Sequence, residues 1–137
     1  MDLGSGGGVP GILHGILFDR DWIACDSEKS KAQFLGSLIR DYSMKGSLAV
    51  DTRAEEWLAT HECPQICARA VGTVSKIMAW LEGCSTWNEL ILFKGPKWEQ
   101  EWADFRAGRM KKRLRIRAEH AYSIGDKTRK IIRLERT

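Results

Sequence analysis

Three glycines alternate near the front of the chain, Gly4-Ser5-Gly6-Gly7-Gly8, directly after Asp2 and Leu3. A strand end followed by such glycines lets backbone approach a ligand closely, because no Cβ intervenes. A helix that begins near Pro10 aims its free N–H groups back at the same loop. Asp26 closes the short apolar run Trp22-Ile23-Ala24-Cys25, twenty-two positions after Gly4. An acid at that distance, at the end of the next strand, suits a pair of ribose hydroxyls. Together these residues predict a site for an adenosine-bearing cofactor.

NAD and S-adenosyl-L-methionine both fit that geometry. The dinucleotide fingerprint is GxGxxG, and here Val9 stands where its last glycine would be. Asp2 lies two residues before the first glycine, where a carboxylate can help hold the ammonium of a methionine moiety. A dinucleotide needs no cation partner there, so the pattern favours the methyl donor.

The elements that must position these residues can be read from periodicity. Strands are predicted at Trp22–Cys25, Leu48–Val50, Ile66–Ala68 and Leu90–Phe93. Between them, Ala32, Leu35, Ile39 and Tyr42 recur at helical spacing, with Ser27 placed to cap that helix. Glu55–Leu58 reads as a short helix, and Val71, Val74, Met78 and Leu81 share one helical face. Pro96 opens a helix with Trp98, Trp102 and Phe105 on one side. Arg113, Arg115 and Arg117 then alternate with Leu114, Ile116 and Ala118, which is the period of a strand with one basic and one apolar face. Ser123–Asp126 supplies turn residues, and Lys130–Leu134 returns as another strand. Strands alternating with helices, then a hairpin, predict a mostly parallel α/β sheet with an antiparallel edge.

A chain of 137 residues suits one domain, spanning 1–137, with the basic hairpin at 109–137 inside it. Hydrophobic residues at 43% and charged ones at 29% exclude a disordered chain. No apolar run reaches the roughly 20 residues that span a bilayer, and no basic-then-apolar leader precedes the glycines. A cytoplasmic protein with no membrane partner is expected. Cys25, Cys63, Cys67 and Cys84 lack zinc spacing and read as reduced, partly buried thiols, with no metal expected. His14, His61 and His120 are isolated from one another.

Net charge is uneven. Arg106–Thr137 carries twelve Lys/Arg against three acids, so a segment of +9 follows a body of −5. That asymmetry fits a polyanion partner, nucleic acid first; it also fits a solvated pair of surface strands.

The segment Asp2–Ile12, with its Val9-Pro10-Gly11-Ile12 extension, resembles the first motif of the small-subunit (16S) ribosomal RNA guanine-N7 methyltransferases, formerly called glucose-inhibited division protein B. Further likenesses follow in order: Asp26-Ser27 with Lys31 and Phe34-Leu35, Arg53-Ala54-Glu55-Glu56, Arg69-Ala70, and Lys94-Gly95. They cover about the first hundred residues. Position 30 is Ser where the family usually has a base, and position 68 is Ala where it often has Ser.

The resemblance implies a Rossmann-like class I S-adenosylmethionine-dependent methyltransferase fold. It implies a cofactor set of Asp2, Gly4, Gly6, Gly8, Val9, Asp26, Ala54, Glu55 and Arg69. Arg69 would position cofactor and incoming base. Lys94, Arg113, Arg115 and Arg117 are candidate RNA contacts, with ribosomal RNA or the small ribosomal subunit as partner and a monomer expected. Guanine N7 carries an unprotonated lone pair, so no residue is required as general base, and catalysis would be mostly alignment. The family normally has a helical segment before the glycine motif, so the chain is expected to lack it, with its first strand cut to two or three residues. Two other readings remain open: a remnant that binds RNA without catalysis, and a methyltransferase of the same fold with another substrate.

Overall fold

The computed structural model describes residues 1–108 and 114–137. In chain order these form β1 (Asp2–Leu3), α1 (Gly11–Phe18), β2 (Ile23–Cys25), α2 (Lys29–Asp41), β3 (Leu48–Val50) and α3 (Ala54–Leu58). Then come β4 (Gln65–Arg69), α4 (Val74–Trp80), β5 (Glu89–Lys94), α5 (Trp98–Ala107), β6 (Leu114–Ile124) and β7 (Lys127–Arg136). Strand order is β3-β2-β1-β4-β5-β7-β6. The first five strands are parallel, and the hairpin β6–β7 joins β5 antiparallel. The chain winds outward from β1 to β3 and then resumes on the other side at β4. The order therefore reverses between β1 and β4, the place where such sheets bind ligands beyond the carboxyl ends of their strands.

Strand β1 has only two residues, yet both are buried. Its neighbours hold it on either side: Asp2 is opposite Ala24 and Cys67 in one row, and Leu3 is opposite Cys25 and Ala68 in the next. Successive side chains point to opposite faces. Leu3, Cys25 and Ala68 thus join the larger core with Leu58 of α3, Ile77 of α4 and Phe105 of α5. Ala24 faces the other way and packs with Ile12 of α1 and Leu35 of α2. This is the predicted mostly parallel α/β sheet with an antiparallel edge, its helices packed on both faces.

Several local expectations change. Ser27 does not cap α2; Glu28 is the N-cap residue, and its amide donates to Asp26 Oδ1 at 3.0 Å. Tyr42 ends α2 largely exposed instead of continuing its apolar face. Val71 lies in the loop before α4, because Thr73 caps that helix by accepting from the Lys76 amide. The aromatic face of α5 is as expected, with Trp98 and Phe105 buried and Trp102 stacked between them. The hairpin turns at Gly125-Asp126, and Gly125 takes φ +59, a region open to glycine.

The hairpin's basic face is not continuous. Register shifts between Ile116 and Ala118, so Arg117 is a bulge residue with no partner in β7, and the alternation ends there. Charges are also spent internally: Arg115 pairs with Glu135, Lys130 with Glu99 and Glu119, and Arg133 with Glu89. Arg113 lies outside the described residues.

Candidate functional site

The loop after β1 is folded by its own glycines. Gly4 has φ +66, and a Cβ there would sit 2.8 Å from Val71 Cγ2. Only glycine lets this turn pass beneath the loop after β4. Gly8, at φ +85, leaves no room either, since its Cβ would meet Ile12 Cβ at 3.1 Å. The Ser5 amide donates to Cys25 O at 2.9 Å, and the Gly8 amide to Ser5 O, so the loop closes on β2 and on itself.

Asp26 ties the loop to the end of β2. Its Oδ2 accepts from the Gly6 amide at 2.9 Å while Oδ1 accepts from Glu28. A carboxylate offers roughly four lone-pair sites, so both oxygens can accept again. Beside it opens a cleft lined by Leu3, Gly4, Cys25, Asp26, Ser27, Thr52, Arg53, Ala54, Glu55, Val71 and Trp80. Of the expected cofactor residues, Gly4, Asp26, Ala54 and Glu55 line this cleft, and Gly6 reaches it through Asp26. Glu55 is held by Arg53, whose Nε donates to its Oε1 at 2.6 Å. Gly8 and Val9 do not line the cleft. Sequence reasoning overlooked Leu3, Thr52, Val71 and Trp80. Only Thr52 carried a signal, as the residue before the Arg53–Glu56 motif.

Asp2 looks elsewhere. The one-residue step from Leu3 turns its side chain to the α1 face of the sheet, where it is 1% exposed. There Oδ2 accepts from Ser5 Oγ at 2.7 Å and from the Gly11 amide at 2.9 Å. Its expected task of holding a methionine ammonium gives way to bracing the loop and the first turn of α1. Burial raises its pKa above the ordinary 3.8, opposed by the Ser5 and Gly11 hydrogen bonds and by the charges of the N-terminus and Arg69.

A carboxyl with a raised folded pKa holds its proton more tightly when folded. Its contribution to stability is full below the ordinary value and is lost as pH rises through the raised one. Ser5 and Gly11 both donate to the same oxygen, so the amide oxygen of Asp2→Asn can accept both. That variant is expected to unfold with a flatter pH dependence in the window above 3.8. Urea titrations of both proteins across that window check this; parallel curves would refute the assignment.

Arg69 ends β4 and lines a second cavity of about 470 Å³, together with Ala70, Phe93, Lys94, Gly95, Tyr122, Ile124 and Arg129. Lys94 borders it, but its ammonium points inward. Nζ donates to Gly72 O at 2.8 Å and to Glu101 Oε1 at 2.7 Å, and the same carboxylate oxygen accepts from the Val74 amide at 2.7 Å. Lys94 therefore fastens the loop that carries Val71, and the RNA contact expected of it is not what its ammonium makes here.

All four cysteines are free and buried. Burial pushes the thiols of Cys25 and Cys67 up to about 12, so neither is a nucleophile at neutral pH. Among the described residues no three His, Cys, Asp or Glu side chains converge to hold a metal ion, and no helix is long and apolar enough to cross a membrane.

Comparison with known proteins agrees with this geometry. Residues 1–132 match the family described as GidB, rRNA small subunit methyltransferase G. Ribosomal RNA small subunit methyltransferase G of Solibacter usitatus is 30% identical over 128 residues, covering 92% of this chain and 61% of that protein. Its counterpart in Rhodopirellula baltica is 33% identical over 127 residues, covering 91% of this chain and 54% of that protein. The chain thus spans a little over half the length of these relatives. Among solved structures, TrmK of M. capricolum in complex with S-adenosyl-homocysteine superposes with TM-score 0.74 at 11% identity, over 99% of this chain and 61% of that one. The METTL16 methyltransferase domain superposes with TM-score 0.76 at 10% identity, over 98% and 71%. At such identities the likeness is one of fold, the class I methyltransferase fold.

Proposed function

The chain belongs to the rRNA small subunit methyltransferase G family, and from that premise we propose that it uses S-adenosylmethionine to methylate N7 of a guanine in small-subunit ribosomal RNA. One observation supports the reading above others: the cleft at the β1/β4 switch, where Asp26 is bonded to the glycine loop and Gly4 is pressed under Val71. The residues present fit the cofactor. Asp26 has acceptor capacity for a ribose diol, Leu3, Val71 and Trp80 give apolar walls for a purine, and Ala54 and Glu55 flank that space. When bound, S-adenosylmethionine supplies a methyl group on a sulfonium, which an unprotonated nitrogen lone pair can accept with no general base.

The protein's part is then alignment. Asp26 orients the adenosine half through its ribose. The loop Arg69–Thr73, fastened by Lys94, sets the position of Val71 in one cavity and of Arg69 in the next. Arg69 lines the second cavity, and its charge favours the Asp2 carboxylate. A cytoplasmic location and an RNA partner accompany this reading.

Methyl-labelled S-adenosylmethionine incubated with small-subunit ribosomal RNA lacking the modification is expected to yield labelled 7-methylguanosine on nuclease digestion. Label in another base, or in protein, would overturn the substrate assignment. Binding of that RNA with no transfer would leave an RNA-binding remnant instead.

A further inference from the structure

The second cavity lies where the ends of β4 and β5 meet the tip of the hairpin β6–β7. Two of its three cations, Arg69 and Arg129, differ from the other basic residues discussed. Arg115, Lys130 and Arg133 are matched to carboxylates, and Lys94 is bonded to Glu101. Among the described residues, neither Arg69 nor Arg129 has a carboxylate at ion-pair distance. The Arg129 guanidinium reaches only the Thr128 carbonyl, 3.3 Å from Nη1, and lies over Gly95, where an added Cβ would come within 3.6 Å of it. Tyr122 is directly opposite Arg129 in the hairpin register, so the two side chains share one face, and both are half-buried. Ile124, two residues on, lines the same space.

Two uncompensated guanidinium groups and an aromatic ring around one cavity suit a ligand that is both anionic and flat. A splayed-out nucleotide has that chemistry: its base stacks on an aromatic ring and its phosphate accepts from arginine. We propose that this cavity seats one nucleotide of the RNA, with its base against Tyr122 and its phosphate on Arg129 and Arg69. The proposal rests on the methyltransferase reading for its RNA, but not for its geometry. It also moves the phosphate contacts from Arg115 and Arg117, which are paired or bulged, to the hairpin tip.

The test uses guanosine 5′-monophosphate and guanosine as probes, titrated into the chain saturated with S-adenosyl-homocysteine and followed by amide chemical shifts. Wild-type protein is expected to bind the monophosphate more tightly than the nucleoside. Arg129→Gln should shrink that difference, and Tyr122→Ala should weaken both probes about tenfold. Affinity for S-adenosyl-homocysteine should hold in each variant, which also shows that they fold. Lys45→Gln, an exposed cation between α2 and β3, controls for the loss of one charge and should change nothing.

Equal affinities in wild type, Arg129→Gln and Tyr122→Ala would overturn the subsite. So would a wild-type protein that binds S-adenosyl-homocysteine but neither probe, and the cofactor reading would survive that result. Probe binding with the expected sensitivities, but no S-adenosyl-homocysteine binding, would support the subsite and remove the methyltransferase reading.

Discussion

Asp26→Ala is expected to weaken binding of S-adenosylmethionine by at least about 100-fold, measured calorimetrically. Two losses combine. The ribose diol loses its carboxylate, and hydrogen bonds to a charged group contribute about 1.5–3 kcal/mol each. The glycine loop also loses its tether, because the Gly6 amide donates to Asp26 Oδ2. Gly6 stands at φ +54, and without that acceptor the loop has less reason to hold the turn. Asp26→Asn keeps the shape and one acceptor, so its loss should be smaller, about tenfold. Unchanged affinity in the alanine variant would mean that no ribose rests on Asp26, and the cleft would lose its assignment.

Lys94→Met should lower unfolding free energy by about 3–5 kcal/mol, the usual cost of removing one partner of a buried ion pair. Lys94 and Glu101 are 9% and 18% exposed, so the pair is largely shielded from water. Glu101 would keep a charge with only the Val74 amide as donor, and Gly72 O would lose its partner. Domains of this kind have margins of about 5–15 kcal/mol, so the loss is a large share of the whole. The double variant Lys94→Met/Glu101→Gln should recover much of the loss, since the glutamine oxygen still accepts from Val74 and no unpaired charge remains. By contrast, Arg115→Gln breaks an exposed pair and should cost less than about 1 kcal/mol. Urea midpoints compare all four proteins. A stable Lys94→Met would return that lysine to the surface role read from sequence.

Much of the fold was legible because its signals are local. Strand runs such as Leu90–Phe93 and helical spacing such as Trp98, Trp102 and Phe105 reflect which side chains one element can bury. The cofactor loop was legible for the same reason: glycine is needed wherever φ is positive, and Gly4, Gly6 and Gly8 all take such values. Ser27 misled because the Asp26 carboxylate, one residue earlier, already receives the Glu28 amide. Val71 misled because its apolar character, read as one face of a helix, is used in a loop to cover Gly4. The alternating arginines misled because a one-residue bulge at Arg117 breaks the period.

By itself the sequence determined the order of elements, the turn made by its glycines and the nearness of Asp26 to that turn, all set by bonds within a few residues or one strand-to-strand step. Tertiary structure alone decided that Asp2 turns to the α1 face, that Lys94 is bonded to Gly72 and Glu101, and that Arg69 lines one cavity with Tyr122 and Arg129. Each of those outcomes depends on which row of the sheet a residue occupies and which distant strand lies beside it. Spacing along the chain carries neither quantity.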